Sequence, residues 1–107
     1  MSQSILSQLS SRMESATDAY ADACDEEAEK ENAYLAAFST AWAVATEEGV
    51  AISARSKHVD ADPVVTAAKQ EYNRAIAGRK RTHAKVEELK SRIMAAQSHM
   101  RFVREQT

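Results

Sequence analysis

Gly49, Pro63 and Gly78 are the only glycines and the only proline among 107 residues, and that scarcity limits what the chain can fold into. Turns rely on glycine for left-handed backbone and on proline for a pre-set φ. A chain this poor in both makes few turns and must be filled by long unbroken elements. Alanine, glutamate, lysine, arginine and glutamine dominate the remainder, and these are strong helix formers. β-branched residues never gather into an alternating run. The predicted class is all-α, in one domain.

The second half carries the most regular signal. Val65, Ala68, Tyr72, Ala75, Arg79, Thr82, Val86, Leu89, Ile93, Ala96, Met100 and Val103 follow alternating steps of three and four. Such spacing is the seam of a coiled-coil-like helix over about 63–105. Asp62 supplies an N-cap and Pro63 takes the first helical position, where no amide hydrogen is needed.

In the first half, Leu6, Leu9, Met13, Ala16, Tyr20, Cys24, Ala28, Leu35, Phe38, Trp42 and Ala45 mark one face of a helix over about 4–48. Gly49 is the natural left-handed residue to end it. Between the two lies a linker or short helix, 49–61. Its Val50, Ile52 and Val59 suit either a short helix over the closed end or a mobile loop.

Each seam has one polar break: Glu27, Lys30 and Glu31 in the first helix, Arg79, Thr82 and His83 in the second. Folding the helices back on each other brings the breaks together, with Glu31 opposite Arg79, Glu27 opposite His83 and Phe38 opposite Tyr72. An ion pair on a seam is a poor stabiliser but specifies alignment, because slippage strands unpaired charge. The expected architecture is therefore two long antiparallel helices, a helical hairpin with Glu31, Arg79, Glu27 and His83 setting its register. Two stripes alone bury little, so dimerisation into a bundle is also expected.

Charge is divided unevenly. Residues 1–48 hold ten acids against two bases, and residues 63–107 hold ten bases against four acids. Lys80, Arg81 and Lys85 form the densest basic run, the kind of outer face that binds a phosphate backbone. The plainer reading is that the basic helix complements the acidic one. Asp22, Asp25, Glu26 and Glu29 are the matching acidic face, suited to a basic protein partner, with Trp42 as an aromatic anchor.

Other chemistries find little footing. His58, His83 and His99 lack metal-ligand spacing, so no metal or other cofactor is expected. There is no glycine-rich phosphate loop, nucleophile elbow or cysteine–histidine pair at a useful spacing, which argues against an enzyme. Cys24 is the only cysteine and excludes an intrachain disulfide, which fits a reducing cytoplasm. No run approaches the roughly 20 apolar residues of a membrane span.

The stretches Ala67–Tyr72, Leu89–Ile93 and Gln97–Arg101, with Ala33–Phe38 in the first half, resemble a group of small bacteriophage proteins. Members are encoded among genes for recombination and single-strand DNA handling. The resemblance implies an accessory role there, in the host cytoplasm, loading or regulating an annealing or recombination protein. The group has no catalytic residues to transfer. The expected function is thus a non-catalytic adaptor, dimeric, that binds DNA, a recombination or single-strand-binding protein, or both. Two alternatives remain: an inhibitor of a host defence or repair enzyme acting through the acidic face, and a purely structural coiled-coil oligomer.

Overall fold

A computed structural model describes residues 2–106. Three helices account for nearly all of them: α1 (Ser2–Glu47), α2 (Ile52–Asp60) and α3 (Pro63–Gln106). The class is all-α, and the long helices fall close to the spans read from the sequence. The linker is ordered as a helix rather than a loop.

Each break has a local cause. Gly49 takes φ 80°, its amide donates to the Thr46 carbonyl at 3.1 Å, and the Val50 amide donates to Ala45 at 3.0 Å. That pattern closes the last turn of α1 as a Schellman motif. At the other break, Asp62 Oδ1 accepts from the Val64 amide at 2.8 Å and the Val65 amide at 3.4 Å. Pro63 then opens α3 without wasting a donor, and it also biases Asp62 out of helical backbone, which ends α2.

The chain divides into two units. One is Cys24–Gly78, and the other comprises Met1–Ala23 with Arg79–Thr107.

In the unit Cys24–Gly78, Ala45, Val59 and Val65 form a buried cluster, one residue from each helix. Tyr34, Phe38, Trp42 and Val50 pack against it. Tyr34 stacks on Tyr72, with centroids 6.1 Å apart, while Phe38 stacks on Trp42 at 6.0 Å. Arg55 of α2 lies 5.5 Å from the Trp42 ring and donates through Nε and Nη2 to the Val50 carbonyl at 3.1 and 2.9 Å. Guanidinium, indole and backbone thereby tie α2 to the end of α1. Ile52 faces outward, 75% exposed, so only Val50 and Val59 of the linker's three large apolar residues serve the core.

In the other unit, Leu9 and Leu89 are buried. Tyr20 lies against His83, with ring centroids 5.4 Å apart. The α3 seam follows the expected positions from Val65 to Met100, all buried or half-buried, but Val103 is 47% exposed. It lies in the last turns, beyond which α3 has no further turn to pack.

The α1 face agrees with the one read from its apolar residues at Leu6, Leu9, Met13, Ala16, Tyr20, Cys24, Phe38, Trp42 and Ala45, all buried or half-buried, and differs at two positions. Those two, Ala28 and Leu35, are exposed, and Ala23, Glu27, Lys30, Tyr34, Ala37 and Ala41 are covered as well. These continue the three–four steps begun at Leu6, Leu9, Met13, Ala16 and Tyr20. A helix lying along a partner with a 3.5-residue repeat keeps that repeat itself, whatever residues fall on it. Glu27 and Lys30 sit there half-buried, since long side chains carry their charge outward past an apolar stem. Cys24 is half-buried beside Ala23.

The ring stacked on Tyr72 is that of Tyr34, one helical turn before Phe38, the residue expected to face it.

Candidate nucleic-acid interface

The cations of α3 differ in how far their charge is already spent. Arg74 is paired with Glu71 three residues earlier. Glu88 serves two partners, Arg92 Nη2 at 2.8 Å and Lys85 Nζ at 3.7 Å. Lys80 and Arg81 are exposed and have no ion-pair partner among the described residues. Arg81 and Lys85 are four residues apart and share one face of the helix, with Lys80 on the adjoining side.

Lys85 is joined by a residue that the sequence did not single out. Arg12 and Lys85 line one open groove of about 420 Å³, together with Ser11, Ser15, Ala16 and Leu89. Ala16 and Leu89 belong to the two apolar seams, so the groove has an apolar floor between a cation from each helix. Ser11, Arg12 and Ser15 are exposed. Two cations and two hydroxyl donors along an apolar trough form the donor set that phosphate and sugar oxygens accept from. Arg12 is the only arginine in residues 1–48, which was the available signal. Its pairing with Lys85 needed the helix alignment, which periodicity alone does not supply.

The acidic face is equally accessible. Asp25, Glu26 and Glu29 in the unit Cys24–Gly78, and Asp22 in the other, are all exposed without an ion-pair partner among the described residues. Asp22 with Glu26, and Asp25 with Glu29, are like-charge pairs four apart. Each such pair destabilises a helix by about 0.2–0.5 kcal/mol. The helix tolerates them because alanine-rich neighbours propagate it strongly.

Trp42 is half-buried between Phe38 and Arg55, within the closed-end cluster. Of the four residues expected to set the register, Glu27 and Arg79 are half-buried, and Glu31 and His83 are exposed. His83 Nε2 lies 3.8 Å from Glu87, one turn along its own helix, and its ring lies on Tyr20. His58 Nε2 lies 3.9 Å from Glu48, joining α2 to the residue after α1.

Among the described residues no group of three or more histidine, cysteine, aspartate or glutamate side chains is placed to hold a metal ion. No described helix is long and apolar enough to cross a membrane. No protein-family model matches the chain, and no curated protein or solved structure does either.

Proposed function

We propose that this chain is a non-catalytic accessory protein of phage type that acts in DNA recombination or replication by binding nucleic acid. In this reading it is a helical hairpin whose basic side contacts the phosphate backbone. The observation that carries it is the groove in which Arg12 and Lys85 converge from two helices, flanked by Ser11 and Ser15. Arg81, one turn from Lys85, and Lys80 beside it extend that surface with charge that no carboxylate among the described residues neutralises. Base-stacking aromatics are lacking in the groove, so binding is through the backbone and tolerant of sequence.

A second reading has its own support. Asp22, Asp25, Glu26 and Glu29 are exposed without ion pairs, which suits a basic surface on a recombination or single-strand-binding protein, or on a host enzyme. An adaptor uses both surfaces, whereas an inhibitor uses the acidic one alone.

Fluorescence anisotropy with labelled single- and double-stranded DNA separates these readings. Binding that weakens roughly 150-fold between about 50 and 200 mM salt is expected for four phosphate contacts on a duplex, one each from Arg12, Lys80, Arg81 and Lys85. Replacing Lys80, Arg81 and Lys85 with glutamate should abolish it. Absence of binding at the lower salt sinks the nucleic-acid reading and leaves the acidic face as the working surface.

A further inference from the structure

The groove of Arg12 and Lys85 has a neighbour on the same side of the helix pair. Lys85, Arg92 and His99 follow one another at seven-residue intervals on α3, and Ile5 and Arg12 are seven apart on α1. Seven residues make two turns of a helix that keeps a 3.5-residue repeat, so each set stays on one side of the seam. On that side, within the same unit of the chain, lies an open hollow of about 300 Å³ lined by Ile5, Ala95, Ala96, His99 and Met100. Ile5 is 53% exposed, and Ala95 and His99 are exposed beside it.

Groove and hollow differ in chemistry. Arg12 and Lys85 bring cations to the groove, and Arg92 lies one heptad further along α3. Glu88 is the carboxylate paired with Lys85 and Arg92, so these three cations together keep a positive surplus. The hollow is lined by apolar side chains and one imidazole, with no carboxylate, ammonium or guanidinium. A ligand that spans both must carry anionic groups along its length and an apolar face that can turn aside from them. A nucleic-acid strand has that chemistry, but only when it is unpaired. In a duplex the bases are paired and stacked inside, so phosphates resting on Arg12 and Lys85 leave every base out of reach of the hollow. An unpaired base can be splayed out and laid against apolar or imidazole surface. At about 300 Å³ the hollow is at the small end of ligand sites, suited to one base.

We propose that this side of the helix pair takes single-stranded nucleic acid, with phosphates on Arg12, Lys85 and Arg92 and one base in the hollow against Ile5 and His99. The inference rests on the nucleic-acid reading above and adds the kind of strand. Contact with the flat face of a base makes the preference one of strandedness and not of sequence.

Anisotropy at about 50 mM salt with three labelled probes tests it: an oligothymidylate of about 20 nucleotides, a duplex of the same length, and an abasic strand with the same phosphates. The oligothymidylate should bind about tenfold or more tighter than either of the others, the gain expected from one seated base. Ile5→Ser combined with His99→Ala should remove that advantage and leave duplex binding unchanged. Both side chains are exposed, so helix content by circular dichroism should hold. Ala95→Leu, which narrows the hollow with a strong helix former, should act in the same direction. Equal binding of the three probes, or a thymidylate preference that both variants retain, overturns the single-strand site while DNA binding itself stands. Failure of all three probes to bind removes the nucleic-acid reading and this inference together.

Discussion

Tyr34 of α1 stacks on Tyr72 of α3, with centroids 6.1 Å apart and ring planes 20° apart. Both rings are half-buried, and Tyr34 also meets Phe38 edge-on at 6.3 Å. The pair aligns α1 with α3 in the unit Cys24–Gly78. Tyr72→Ala should lower stability by about 2 kcal/mol, less than a fully buried aromatic. A double-mutant cycle with Tyr34→Ala, read by urea denaturation, should return a coupling of about 1 kcal/mol. Strict additivity would mean that the stack contributes nothing beyond area.

Leu89 and Val103 occupy equivalent seam positions in the sequence but not in the structure. Leu89 is 1% exposed and Val103 47%. Leu89→Ala should cost about 3 kcal/mol, and Val103→Ala should stay within about 0.5 kcal/mol. Thermal melts of the two variants check this, since each kcal/mol moves the midpoint of a domain this size by about 4 °C. Equal shifts would show that the seam stays covered through position 103.

The two ends that define the linker can be weakened separately. Gly49→Ala places a Cβ in open space, with nothing within 4 Å, so only the φ of 80° resists it. The expected cost is about 1 kcal/mol, purely of backbone origin. Asp62→Ala removes the cap from two amides and should also cost about 1 kcal/mol, while Asp62→Asn retains most of that stability. Denaturant midpoints decide both, and an asparagine variant as weak as the alanine one would point to charge rather than capping.

Arg12 separates the groove from general basicity. Arg12→Glu should weaken DNA binding and flatten the salt dependence by about 0.9 in log–log slope, the share of one phosphate contact. Lys57→Glu makes the same charge change on α2, which contributes no residue to the groove, and should leave the slope unaltered. Equal losses from both variants would mean that only net charge matters.

Most of the fold was legible because its signals are local. Scarce glycine and proline mark the breaks, and Asp62-Pro63 and Gly49 act through their own backbone geometry. The α3 seam was readable because its apolar residues recur at three–four steps through most of the helix. The α1 face was readable at most positions but not at Ala28 and Leu35, where alanine and polar residues leave several stripes to compete. Leu35 then drew the face toward a side that the structure leaves in water. The candidate site was half legible for a related reason: Lys80, Arg81 and Lys85 cluster in sequence, whereas Arg12 reaches Lys85 only once the helices are aligned.

The sequence by itself determined that this protein is helical, where α1 and α3 begin and end, and which side of α3 is apolar. Those properties follow from backbone preferences and periodicity within a few turns of chain. Only the tertiary structure decided that Glu27, Lys30 and Tyr34 rather than Ala28 and Leu35 are covered on α1, that Tyr34 stacks on Tyr72, and that Arg12 and Lys85 line one groove. One turn of slip between two long helices changes every one of those neighbours, and their alignment is set by side chains distant in sequence that meet only after folding.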